Sequence, residues 1–172
     1  MCIRDRFYDR AQSGGGCVMD LGVHLVDLAL WALGFPALSG PVSAQLFAAG
    51  RPLAGDAVED FATATLTLDT GVVVRLACSW RLQAGRDAEI SAAFYGTQGG
   101  AALRNVGGSF YDFAADRYRG TATETLTSVP EEWGGRAAAD WAERLARARA
   151  FDPAAQRLVD VAKVLDRIYA RA

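Results

Sequence analysis

Apolar residues recur at helical spacing from residue 18 to 33, and Gly34 with Pro36 just beyond closes the run. That pattern predicts a helix over 18–33. Leu21, Val23, Leu25, Val26, Leu28, Ala29, Leu30, Ala32 and Leu33 surround it almost completely, so it reads as buried. A strand is expected over 41–48, followed by a Gly- and Pro-bearing loop through Asp56. Residues 58–68 alternate, with Thr63, Thr65 and Thr67 on one face and apolar groups on the other. Asp69-Thr70-Gly71 is a turn and 72–80 the return strand, which together predict a hairpin. Further strands are expected over 87–95 and 101–104 around the Gly96–Gly100 turn, and more weakly patterned ones over 109–114 and 121–129. The last third turns helical. Residues 136–149 are Ala-rich with Trp141 and Leu145 on one face, and Asp152-Pro153 caps and opens a closing helix. In that helix Leu158, Val161, Leu165 and Ile168 form the expected buried stripe. The sum is an α+β chain: an open, mostly antiparallel β-sheet with helices packed on one face.

Composition narrows the function classes. A length of 172 residues, 51% hydrophobic and 22% charged, is that of an ordinary globular protein with a core. A net charge of -2 supplies no field that would recruit nucleic acid or an anionic membrane, so neither is an expected partner. All but one of the 18 basic residues are arginine, the exception being Lys163, a bias that points to a GC-rich bacterial coding sequence. Asp20, His24 and Asp27 interrupt the most apolar stretch, which argues against a membrane span. Cys2, Cys17 and Cys78 are odd in number and far apart, with no metal-ligand spacing. They read as thiols in a reducing cytoplasm, and no metal is expected. The charged start, Met1-Cys2-Ile3-Arg4-Asp5-Arg6, lacks a signal-peptide pattern and does not resemble the opening of a domain. Residues 1–13 are therefore read as a leader or loop remnant, partly non-native over 1–6, ahead of a domain spanning 14–172.

The chemistry is expected on the first helix. At 100° per residue Asp20, His24, Asp27 and Trp31 fall in one stripe. Ionisable groups in line on a buried helix are costly unless paired or facing a polar cavity, which is the physical argument for a site. His24 suits a proton acceptor for an alcohol losing hydride from the same carbon, and Asp20 suits a partner that polarises the substrate or tunes the imidazole. The alternative is that His24 and Asp27 satisfy one another and the nearby backbone. Gly14-Gly15-Gly16 reads either as a flexible linker or as a place where a flat cofactor ring or substrate packs against bare backbone. No GxGxxG or P-loop pattern occurs in the sequence.

The run Ser13-Gly14-Gly15-Gly16-Cys17-Val18-Met19-Asp20-Leu21-Gly22-Val23-His24-Leu25-Val26-Asp27 resembles the GGG-x-x-x-D-x-G-x-H-x-x-D signature of the Gfo/Idh/MocA oxidoreductases, those of glucose–fructose oxidoreductase and inositol dehydrogenase type. The likeness continues through Val58-Glu59-Asp60-Phe61, Gly71, Ser79-Trp80 and Phe94-Tyr95-Gly96-Thr97-Gln98-Gly99-Gly100 to Ile168-Tyr169. The resemblance implies a two-domain enzyme with an N-terminal Rossmann domain for NAD or NADP and a second, substrate-binding and oligomerisation domain, of which only the second is expected here. By motif match His24 takes the place of the catalytic histidine and Asp20 that of its aspartate partner. Asp27 matches a commonly acidic position and reads as structural. The family's catalytic lysine sits in a Glu-Lys-Pro motif of the Rossmann domain, and Lys163 lacks that motif, so the isolated chain is expected to be inactive.

The implied substrate is a sugar, cyclitol or similar polyol, and the implied reaction is hydride transfer at a secondary alcohol or an elimination assisted by transient oxidation. A homo-oligomer through the sheet face is implied as well. A non-catalytic sugar-binding or assembly module of the same fold is the competing reading. Arg81, Arg86, Tyr8 and Arg10 are further candidates for substrate contact, and Gly14, Gly15 and Gly16 for proximity to the cofactor. Glu59-Asp60 reads as structural, and Trp133, Trp141 and Tyr118 as core or interface anchors.

Overall fold

The computed structural model describes residues 4–130 and 132–170, and the thiol of Cys2 lies outside them. The chain divides into two compact units, residues 1–82 with 153–172 and residues 83–152. All strand pairings in them are antiparallel, but the strands form two four-stranded sheets where one was expected.

In the first unit short helices α1 (Arg4–Phe7) and α2 (Arg10–Ser13) lead through Gly14–Gly16 into a π turn, Val18–Gly22, and then helix α3, Val23–Ala32. The run Arg10–Ala32 is long and apolar enough to cross a membrane by composition alone. It is instead broken at residues 14–16 and lays Cys17, Val18, Val26 and Leu30 into the core. Strands β1 (Ser43–Ala48), β2 (Arg51–Pro52), β3 (Phe61–Thr67) and β4 (Val73–Ser79) stand in the order β2-β1-β3-β4. The β3–β4 hairpin pairs Phe61 with Ser79 and Thr67 with Val73. As the alternation requires, Ala62, Ala64 and Leu66 are buried, while the threonines point to the other face. The small side chains of Ala62 and Ala64 let a helix layer settle close to the sheet.

Helix α5, Gln156–Ile168, closes this core with Val161, Val164, Leu165 and Ile168. That set corrects the expected stripe: Val164 is buried and Leu158 is 70% exposed, because the stripe is covered only from Val161 onward. A 3-10 turn, Pro153–Ala155, precedes α5, and the Asp152 carboxylate meets Arg144 at 3.2 Å.

The second unit holds β5 (Ser91–Gly96), β6 (Gly99–Asn105), β7 (Phe113–Arg119) and β8 (Ala122–Thr127) in sequential order, and helix α4, Arg136–Arg147. β7 begins four residues later than the strand predicted from residue 109. Polar side chains organise the intervening loop: Asn105 Nδ2 donates to the Ala88 and Ser109 carbonyls, and Ser109 Oγ accepts from the Tyr111 and Asp112 amides. Those local bonds compete with a ladder and delay it. Buried Asp116 accepts from Arg104 at 3.1 Å and from Thr125 at 3.0 Å. Trp141 and Leu145 share a face of α4 but stay exposed.

Candidate active site

The site is assembled around the entry to α3. Four backbone N–H groups at a helix start have no partner within the helix. Here a carboxylate from 43 residues away serves two backbone amides at this entry. Glu59 Oε1 accepts from the Gly16 amide at 2.8 Å, the Val18 amide at 3.1 Å and the Tyr169 hydroxyl at 2.5 Å. Its backbone carbonyl takes the Cys17 amide at 3.0 Å. Glu59 is 1% exposed, and its negative charge sits at the positive end of the helix dipole. Burial, then the bond to Glu59 and its charge, push the Tyr169 phenol far above its ordinary 10.0, so it stays a donor.

This clamp explains two of the three glycines. A Cβ on Gly15 would collide with the Tyr169 hydroxyl, and one on Gly16 with the Glu59 carbonyl. Their bare backbone is used against the chain's own residues. Gly14 instead needs its left-handed φ of +78° to leave α2. Beneath the helix Cys17 and Cys78 are buried free thiols with their sulfurs 3.7 Å apart. The hydrogen bond to Cys78 and burial push the Cys17 thiol well above its ordinary 9.0.

Asp60 works on the other side of the same corner. Its carboxylate accepts from the Ala49 amide at 3.1 Å and faces Arg81 at 3.6 Å. Its carbonyl takes the Trp80 amide and the Ser79 hydroxyl, both at 2.9 Å. Trp80 thereby leaves β4 in a set position, with Phe7 and Tyr8 packed edge-on against its ring at centroid distances of 6.4 and 5.3 Å. From there its indole Nε1 donates to Asp20 Oδ2 at 2.8 Å. No periodicity in the sequence marks Trp80, Glu59 or Tyr169 for these roles.

The polar stripe itself is corrected in one respect. Asp20 is half-buried on the π turn, but His24, Asp27 and Trp31 are exposed, Trp31 at 65%. The helix is apolar nearly all round, yet only one side of it is covered by the sheet and α5. Among the described residues His24 and Asp27 have no hydrogen-bonding or ion-pair partner, so the mutual satisfaction weighed as the alternative does not occur there. Asp20 and His24 therefore present ionisable groups to an open face that also carries the exposed apolar Leu21 and Trp31.

The remaining candidates divide. Tyr8 joins the site through Trp80. Arg10 donates to the Gly55 carbonyl at 3.2 Å and lines a shallow depression with Tyr8, Asp9, Ala11 and Asp56. Arg81 is bound to Asp60, while Arg86 belongs to the second unit and pairs with Glu89 at 3.3 Å. Among the described residues no group of three His, Cys, Asp or Glu is placed to hold a metal ion.

Comparison with known proteins places this geometry. D-Glucoside 3-dehydrogenase of Escherichia coli (strain K12) is 30% identical over 137 residues, 73% of this chain and 36% of that protein. Levoglucosan dehydrogenase, solved with NADH and L-sorbose, superposes with a TM-score of 0.74 at 19% identity, over 97% of this chain and 50% of its own. Aldose-aldose oxidoreductase from Caulobacter crescentus, complexed with glycerol, gives 0.70 at 20% identity, over 95% and 47%. The two solved structures speak to fold alone. The chain spans about a third of the length of that curated relative and about half of each solved one. The family description "GFO/IDH/MocA C-terminal domain" matches residues 3–102, and the chain belongs to that family.

Proposed function

We propose that this chain is the substrate-side domain of an NAD(P)-dependent oxidoreductase acting on a secondary alcohol of a sugar, cyclitol or similar polyol. The observation that carries the reading is the open face of the π turn and α3. Asp20 and His24 stand there one turn apart, on a helix whose opposite side is anchored in the core. The name of the curated relative, a glucoside dehydrogenase, supports the substrate class.

Tyr169 and Glu59 occupy the space beside Gly15 and Gly16, and in this reading the dinucleotide is held mainly by a separate domain that faces α3. The nicotinamide supplies hydride exchange, and what this chain supplies is proton handling. In neutral form His24 accepts the hydroxyl proton as the alcohol carbon is oxidised and returns it in the reverse direction. Asp20, with Oδ2 engaged by Trp80, offers Oδ1 to a substrate hydroxyl or to the His24 imidazole. Covering the face excludes water and strengthens both interactions. Free Cys17 and Cys78 accord with a reducing, cytoplasmic setting.

The protein from the complete reading frame provides the test. His24→Ala is expected to lower turnover of polyol substrates by at least about 100-fold, the scale of general acid–base catalysis, with NAD(P) binding unchanged. Undiminished turnover removes His24 from the mechanism, and a frame without a dinucleotide-binding domain ends the proposal.

A second role, assembly, is favoured by the β5–β8 sheet. Its register sets five apolar residues on a single face, Ala92, Leu103 and Ala115 in one row and Phe94 and Ala101 beside Arg117 in the next. All five remain only partly buried. That apolar face suits contact with a second copy.

A further inference from the structure

We infer that Trp80 is a positioning residue for the chemistry, fixing the Asp20 carboxylate through its indole N–H while Phe7 and Tyr8 fix the indole. The inference rests on the oxidoreductase reading above and deepens it.

Asp20 lies within the π turn, a feature that recurs at functional sites. Among the described residues Trp80 is the sole hydrogen-bond donor to Asp20, reaching across 60 positions of sequence. An indole is a donor only, so the bond has one polarity: it favours an accepting carboxylate oxygen and occupies Oδ2. Hydrogen bonds to charged groups are shorter and stronger than neutral ones, and 2.8 Å lies in their range.

Trp80 is itself held at three points. Its amide donates to the Asp60 carbonyl at 2.9 Å, and Phe7 and Tyr8 meet its ring at interplanar angles of 79° and 61°. Edge-to-face packing of this kind restrains ring rotation. Tyr8 is also 50% exposed. Neither Phe7 nor Tyr8 donates to Asp20, which leaves the indole N–H as the atom that matters.

The experiment is a double-mutant cycle in the protein from the complete reading frame, with Trp80→Phe, Asp20→Ala and both together. Trp80→Phe keeps the ring packing and deletes the N–H. The expected result is a fall in kcat of about 10- to 100-fold, the scale of one hydrogen bond to a charged group, with the KM for NAD(P) unchanged. In the Asp20→Ala background the same substitution is expected to change kcat by less than about twofold, since the partner is gone. A scaffolding role predicts equal losses in both backgrounds and overturns the inference, as does a Trp80→Phe enzyme with full kcat. A measurement independent of Trp80 substitution uses the 15N-labelled indole. The Trp80 N–H resonance is expected to move and to lose exchange protection in Asp20→Ala, and an unmoved resonance refutes the bond. If Asp20→Ala and His24→Ala both retain turnover, the assignment of chemistry to these two residues falls and this inference with it, whereas a parent protein with no NAD(P)-dependent turnover of any polyol ends the oxidoreductase reading itself. If both variants lose turnover while Trp80→Phe does not, only this inference falls.

Discussion

Replacing Glu59 with alanine removes one oxygen on which three donors converge, two of them backbone amides of the buried residues Gly16 and Val18. The third is the Tyr169 hydroxyl, on a side chain that is only partly buried. Each buried donor left without an acceptor costs about 1–3 kcal/mol. The phenol can turn toward water and counts for less. Relief from burying a carboxylate offsets part of the loss, which leaves a net of about 2–5 kcal/mol. For a chain of 172 residues each kcal/mol lowers Tm by about 2–4 °C. Glu59→Ala is therefore expected to lower the Tm by about 4–20 °C, read by circular dichroism or differential scanning fluorimetry. Glu59→Gln keeps an acceptor oxygen and is expected to lose only about 3 °C. An alanine variant within about 3 °C of the parent would refute the argument that the clamp holds the entry to α3. Equal damage from glutamine and alanine would show that the charge matters and not the acceptor.

Two further outcomes follow from the same structure. The Tyr169 phenol and the Cys17 thiol both have folded-state values raised above their ordinary 10.0 and 9.0, so the folded state holds these protons more tightly than the unfolded one. Their stabilisation is complete below those values and is lost as pH climbs past them, so unfolding free energy should decline above about pH 9. Tyr169→Phe should flatten the part of that decline above about pH 10. At the β5–β8 sheet, Leu103→Glu places a charge on the apolar face and is expected to shift the complete protein to a smaller species by light scattering after gel filtration. An unchanged mass would remove that face from assembly.

Much of the fold was legible because its signals are local. Period-two alternation with Gly71 at the turn fixes the β3–β4 hairpin and puts Ala62, Ala64 and Leu66 inward without reference to anything else. The closing helix and Val161, Leu165 and Ile168 follow from a 3.6-residue period in the same way. The delayed start of β7 was not legible, since Asn105 and Ser109 organise its loop through bonds that periodicity does not register. Leu158 continues the correct stripe, but sequence does not say how far a neighbour extends along it.

The candidate site shows the same division more sharply. Spacing alone aligned Asp20 and His24 on one side of a helix, and the glycine triplet marked a place of close approach. Hydrophobic pattern, however, records how apolar a surface is and not whether anything covers it. Only the tertiary structure decided that the His24 side is open while Val26 and Leu30 are packed. It likewise decided that Gly15 and Gly16 admit Tyr169 and Glu59, and that Trp80 reaches Asp20. Those partners lie 43 to 110 positions apart in the chain, or meet a glycine that has no side chain to signal them. Local sequence specifies an element and its face, whereas the partner across a gap is set by how the elements pack against one another.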